Sequence, residues 1–427
     1  MSLANQSQKG DPNLMTMLTP DFSSKHVEVE PSSLPVSDSI TELLRSHAKH
    51  LIAEALEAEV HAVIGELRQS GAEVVRNGYL PERKITSAIG DVEVKVPRIR
   101  SKNGQSVNFT STLIPRYLRR SKSISAWAAY AYLKGVSERD MASVLEVVLG
   151  DGAKKLTPSV VSDLKKSWTS DFATWKRRDL SRTRFTYIYA DGIYQDIRGD
   201  NTKVCVLVII GVDSDGKKNL VALEDGVRES TQSWREVLLD LKSRGMAEPL
   251  LGIGDGAMGF WAALKEVFAG TSHQRCWMHK TGNVLNYLPK TLQTRAKSDI
   301  QAIWMAEGKD EAIKAFQLFR EKYEIKYDRA VNCLLKDQDQ LLSFYNFPAE
   351  HWYHIRTTNA IESTFATLRH RTVRVKGAFS KESAMSMMYQ LAMEAEKSWR
   401  RIKSAERLAE IIRGVRFTDG VAEELVS

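Results

Sequence analysis

A chain of 427 residues is too long for one ordinary hydrophobic core, and its 43% of hydrophobic residues can fill two or three. No apolar run approaches the ~18 residues of a membrane-spanning helix, and three far-apart cysteines (Cys205, Cys276, Cys333) cannot build a disulfide framework, which excludes a bilayer-spanning protein and a disulfide-stapled one. The net charge of +8 is concentrated: residues 81–180 hold 19 Lys and Arg against 10 Asp and Glu, a surplus of nine, which points to an acidic polymer as partner.

The opening MSLANQSQKGDPN lacks an apolar stretch behind a basic start, so a cytoplasmic protein with no membrane partner is expected. Residues 1–38, rich in Ser, Pro, Asn and Asp, are expected to form a disordered tail. From Ser39 the apolar residues Ile40, Leu43, Leu44, Leu51, Ile52, Ala55, Leu56 and Val63 recur at three- and four-residue steps, which predicts one or two amphipathic helices. KITSAIGDVEVKVP alternates after a Gly90-Asp91 break and predicts a hairpin, followed by the basic Arg98, Arg100 and Lys102. Three helices are expected over 121–180, with Ser137 and Thr157-Pro158 as start signals. The last carries Lys165, Lys166, Lys176, Arg177 and Arg178, as the recognition helix of a helix-turn-helix would, or as the solvated face of a plain bundle would.

After about Arg184 the pattern becomes strand-like. FTYIYADG, VCVLVIIGV and NLVALEDG predict three strands of a mixed sheet, the middle one buried on both faces. A helix over 230–245, a short strand LLGIGD, a helix over 258–268 and a short strand HQRC follow, then only helices over 289–346. An aromatic loop FYNFPAEHWYH, a helix through Thr372, a break at Gly377 and one long helix from Ser380 to about Arg413 complete the chain.

Asp191 and Asp255 are each expected to end a strand, each before a glycine, which would project both carboxylates from a sheet edge. A third carboxylate from a helix, Glu362, would complete a set able to hold two divalent cations about 4 Å apart; all-oxygen ligands favour Mg²⁺, with Mn²⁺ as substitute. Spacing alone favours two turn aspartates and a capping box from Asn359 to Glu362. Cys276 and His279, with His273 nearby, raise a zinc reading that lacks a fourth ligand, and Trp277 between them reads as core.

The blocks DGIYQDIR, GDGAMGFWAAL, QRCWMH and RTTNAIESTFATLRHRTVRVKGAF, with NGYLPERKITSAIGDVEVKVPRIR upstream, resemble the Mutator-like insertion-sequence transposases in order and spacing over about residues 40–400. The chain differs from their usual pattern in Glu362-Ser363-Thr364 and in the glycine before Asp255. The resemblance implies a multidomain α/β protein: a ribonuclease-H-like mixed sheet with an all-helical insertion, preceded by a mainly helical DNA-binding region. It implies an Asp191, Asp255, Glu362 triad that binds metal and cuts and joins DNA, with Cys276, His279 and Asn359 supporting the site.

On this reading the tail (1–38) precedes a helical and hairpin region (39–120) and a helix-turn-helix-like unit (121–180). The catalytic unit comprises 181–288 and 347–378, interrupted by the insertion (289–346), and a C-terminal helix and tail close the chain (379–427). Arg356, Arg369, Arg371 and Arg374, with the earlier basic residues, are expected to follow the phosphates of double-stranded DNA, both terminal inverted repeats and target. Joining two ends implies at least a homodimer. A nuclease that cuts without joining and a non-catalytic DNA-binding regulator are the alternatives.

Overall fold

The computed structural model describes residues 39–423 except 103–106, 108, 135, 137–139, 142, 145, 147–158, 196–203, 257 and 373–379. The 1–38 tail, the Ser137 and Thr157-Pro158 caps, Arg374 and the Gly377 break therefore lie outside the described residues.

Helix α1 (Ser39–Gln69) packs on two small antiparallel pairs, β1 (Val74–Tyr79) with β4 (Pro97–Ser101) and the hairpin of β2 (Arg83–Ser87) and β3 (Gly90–Val94). Gly90 opens β3 at φ +94°, a conformation that carries no steric cost for glycine, and the expected hairpin forms there. The apolar stripe of α1 is shifted from its expected course. Leu56, Val60 and Ile64 are the buried positions, whereas Ile40, Leu43, Leu44 and Leu51 are more than half exposed, because the helix outruns the small sheets beneath it.

Helices α2 (Lys122–Leu133) and α3 (Ser159–Lys176) lead into a five-stranded sheet of order β7-β6-β5-β8-β9. The strands β5 (Phe185–Gln195), β6 (Val204–Asp213) and β7 (Lys218–Gly226) are antiparallel, and β8 (Leu251–Gly254) and β9 (Ser272–Arg275) continue parallel to β5. The mixed sheet is thus as expected, and the all-apolar β6 is buried on both faces: Val206 through Ile210 are fully enclosed. One face packs Ile188, Leu207 and Ile209 against α4 (Thr231–Ser243) and α5 (Met258–Val267). The other packs Tyr187, Tyr189, Val206 and Val208 in one core with Ile361, Phe365 and Leu368 of α11 (Asn359–Thr372).

After β9 comes α6 (Trp277–Leu285), which the patterning did not mark, and then, over the stretch where only helices are expected, α7 (Lys290–Trp304), α8 (Lys309–Leu335) and α9 (Gln338–Leu341). Trp277 is fully buried and donates from Nε1 to the Leu341 carbonyl at 2.8 Å, so it belongs to the core. The aromatic stretch expected to be a loop is instead two 3₁₀ turns and α10 (Trp352–Ile355), because Phe344, Tyr345 and His351 are buried and their backbone needs internal partners.

The single long C-terminal helix is also corrected. α12 (Lys381–Glu396) stops, and α13 (Leu408–Ile412) begins only after a left-handed Ser404 (φ +49°). Between them the buried Ile402 donates its N–H to the Gly216 carbonyl at 3.0 Å and His351 Nε2 meets the Ser404 carbonyl at 3.0 Å, pinning the chain to the β6–β7 turn. A short hairpin, β10 (Phe417–Thr418) with β11 (Val421–Ala422), follows.

Candidate active site

Asp255 directly follows β8, as its spacing predicts, but Asp191 does not end its strand. β5 runs on to Gln195, which pairs with Val204, so Asp191 projects from the strand interior. Alternation places it on the face of Tyr187, Tyr189 and Ile193, the face covered by α11. Because Ala190 pairs in parallel with Gly254, the next residues on the two strands, Asp191 and Asp255, come side by side.

A third carboxylate joins them that the sequence reading did not single out. Glu229 lies between β7 and α4, immediately before Ser230, whose side chain caps α4 by accepting from the Ser233 N–H. Carboxylate oxygens of Asp191, Glu229 and Asp255 all lie within 4.8 Å of one another. Two glycines make room for this. A Cβ on Gly192 would stand 2.6 Å from the Glu229 carboxyl carbon, and one on Gly259 would stand 2.3 Å from the Glu229 carbonyl oxygen. Sequence spacing marks Glu229 only as a neighbour of a helix cap; it meets the aspartates only when the segment between β7 and α4 is folded over β5 and β8.

Glu362 occupies the adjoining cluster. Cys276 caps the start of α6, and its N–H donates to the Gly254 carbonyl at 2.8 Å, which fixes the Cys-x-x-His turn beside Asp255. The Thr358 hydroxyl sits among three groups: Cys276 Sγ at 3.3 Å, His279 Nδ1 at 3.3 Å and Glu362 Oε1 at 3.0 Å, to which it donates. His279 Nδ1 is 3.9 Å from the same carboxylate oxygen. Cys276, His279 and Glu362 therefore converge as three possible ligands, and the Thr358 hydroxyl hydrogen-bonded among them stands where a fourth Cys, His or carboxylate is missing among the described residues. His273 lies apart, tilted against Trp261 with ring centroids 4.8 Å apart. Asn359 is exposed in the first helical turn; Thr358, whose carbonyl accepts from the Ile361 and Glu362 N–H groups, opens α11 in its place.

The electrostatics join the two clusters. Burial, then the charges of Asp255 and Glu229, push the Asp191 carboxyl up to about 7, against the Gly192 N–H that donates to it at 2.8 Å. Burial and Asp255 likewise raise Glu229. Hydrogen bonding to Cys276, with help from Asp191 and Asp255, holds His279 up at about 9 despite its burial. Burial would raise the Cys276 thiol, but hydrogen bonds from His279 and Thr358 outweigh it and lower it. Three hard oxygen donors that repel one another when ionised form a donor set suited to Mg²⁺ or Mn²⁺.

The basic residues named from the sequence divide. Arg98 and Arg100 are exposed on β4, and Lys166 and Arg177 are exposed on and just after α3. Lys165 is half-buried, 5.9 Å over the Tyr132 ring. Lys176 pairs with Glu224 at 2.5 Å. Arg178 is turned inward: it donates to the Leu220 and Val221 carbonyls, lies 4.0 Å over Trp175, and is lowered to about 10 by burial. Arg356 is spent similarly, donating to the Trp304 carbonyl and packing over Trp304 and Phe344, which ties α7 to the turn before α11. Both engage carbonyls and rings of the fold where a DNA contact was expected. Arg369 and Arg371 lie on α11, with side chains outside the described residues.

A family model described as "Transposase, Mutator family" matches residues 19–402. The transposase of insertion sequence element IST2 from Acidithiobacillus ferrooxidans is 48% identical over 67% of this chain and 97% of that protein. The transposase of element IS6120 from Mycolicibacterium smegmatis is 45% identical over 68% of this chain and 89% of that protein. That of element ISRM5 from Rhizobium meliloti is 27% identical over 85% of this chain and 89% of that protein.

Proposed function

This chain belongs to the Mutator family of transposases, and from that premise we propose that it binds the terminal inverted repeats of its element and cuts and joins DNA with divalent metal. The observation that carries the reading is the convergence of Asp191, Glu229 and Asp255, from two adjacent strands and a helix entry, with oxygens within 4.8 Å of one another. Asp191, Asp255 and Glu362 are the catalytic acids of this proposal. Glu229 joins them as a ligand, its carboxylate reaching the aspartates beside Gly192. The sheet, with the Asp191 strand at its centre and helices between the second aspartate and the glutamate, supports a ribonuclease-H-like assignment.

When bound, Mg²⁺ or Mn²⁺ would lower the barrier to phosphodiester attack and stabilise the departing oxygen. The protein's part is to hold the ligands in place. β5 and β8 fix two of them by main-chain pairing, and Gly192 lets Glu229 close over the strand. His279, protonated at neutral pH, supplies a nearby positive charge between the aspartates and Glu362, and Thr358 orients the Glu362 carboxylate. No lysine or histidine base is required. Water attacks at the element end, and the freed 3′-hydroxyl then attacks a second strand by in-line displacement; bringing two ends together calls for a homodimer.

The test is Mg²⁺- or Mn²⁺-dependent nicking and joining of labelled duplexes taken from the DNA flanking the gene. Joined products support the reading. Nicks without joined products would favour a nuclease, and binding with neither would favour a regulator.

A further inference from the structure

A second cleft of about 900 Å³ begins at Gly256, the residue after Asp255, and runs between the sheet and the helices that follow it. Five cations line it: Lys265 from α5, Arg275 from β9, Lys280 from α6, Arg329 from α8, and Lys336 just beyond. One carboxylate, Asp337, faces them and is already engaged by Arg275 at 2.9 Å and Lys280 at 2.5 Å. Lys265, Arg329 and Lys336 have no ion-pair partner among the described residues, and all three are exposed. Cations drawn together from separate elements repel unless an anion lies among them, and a recess with low-dielectric walls focuses their field.

The cleft is mechanically linked to the carboxylates. Trp261, which lines it, donates from Nε1 to the Asp255 carbonyl at 2.9 Å. A Cβ on Gly256 would lie 1.9 Å from Arg275 Nη2, so the guanidinium rests against the backbone just after Asp255. Trp261 and the half-exposed Tyr287 add ring surfaces on which a base can stack. A recess of this volume suits small ligands and is too confined for a double helix.

We propose that this cleft holds a single DNA strand next to the scissile end, its phosphates along Lys265, Arg329 and Lys336 and a base against Trp261 or Tyr287. The proposal rests on the DNA-processing reading above and names a subsite for it.

The test uses the full chain with metal withheld, so that nothing is cut. Fluorescence anisotropy compares a blunt duplex from the gene's flank with the same duplex bearing a short single-stranded extension, on either strand. The extension should tighten binding. Each phosphate contact to a single strand makes affinity fall about 2.6-fold for a fourfold rise in salt, so three contacts should cost the extension's gain about 18-fold and the Arg329→Glu/Lys336→Glu variant no more than about 2.6-fold. Blunt-duplex binding should be unchanged in that variant. No gain from either extension, or a gain that survives the double charge reversal, overturns the proposal while leaving the DNA-processing reading intact. Displacement of the extension by inorganic phosphate at constant ionic strength would assign the cleft to a free anion and overturn it as well. Failure to bind any duplex removes both readings.

Discussion

Replacing Asp191 by Asn should stabilise the metal-free protein at neutral pH while abolishing its chemistry. Folding carries this carboxyl from 3.8 to about 7, chiefly by burying it, with Asp255 and Glu229 adding repulsion. At about 1.36 kcal/mol per pH unit the rise corresponds to about 4 kcal/mol of folding free energy given up when the group must ionise. Because the folded pKa is raised, the group's favourable contribution is complete below 3.8 and is lost as pH climbs to about 7. The advantage of Asp191→Asn should therefore be small near pH 4, grow through that window and level off above it. Water access reduces the plateau to roughly 2–4 kcal/mol. Urea unfolding of both proteins in EDTA across this range measures it. Adding Mn²⁺ should raise the wild-type midpoint and leave that of Asp191→Asn nearly unmoved, since only the native wild-type cluster binds the ion well. A variant no more stable than wild type at pH 8, or a gain of equal size at pH 4, would refute the account of the cluster's electrostatics.

Gly192→Ala should fold, because the nearest atoms its Cβ meets, Cδ, Oε1 and Cγ of Glu229, belong to a flexible side chain, yet push that carboxylate aside and weaken Mn²⁺ binding about 10- to 100-fold by calorimetry. His279, raised to about 9, contributes stability that is complete below 6.5 and lost as pH rises through 9; His279→Gln should erase that decline in pH-dependent melting. Trp277→Ala removes a fully buried ring and its bond to the Leu341 carbonyl, and should cost about 3–5 kcal/mol in urea unfolding.

What was legible in the sequence is what short-range pattern encodes. Alternation and apolar runs marked β3, β5, β6 and β7, and Gly254-Asp255 marked the end of β8. The C-terminal boundary was hidden because apolar spacing continues past Glu396, while the contacts that hold the chain off the helical path, Ile402 with the β6–β7 turn and Ser404 with His351, are long-range. Glu229 was hidden because it is distant in sequence from both aspartates and meets them only once β5, β8 and the entry to α4 are assembled. Charge counting marked Arg178 and Arg356 as basic, but it does not say which guanidiniums turn inward to carbonyls and rings.

The most direct test of the central claim compares metal-dependent joining of gene-flanking DNA by wild type, Asp191→Ala, Asp255→Ala and Glu362→Ala, with DNA binding measured in parallel. The account predicts joining in wild type, none in the three variants, and unchanged binding throughout. Joining that persists without any one of these carboxylates would contradict it.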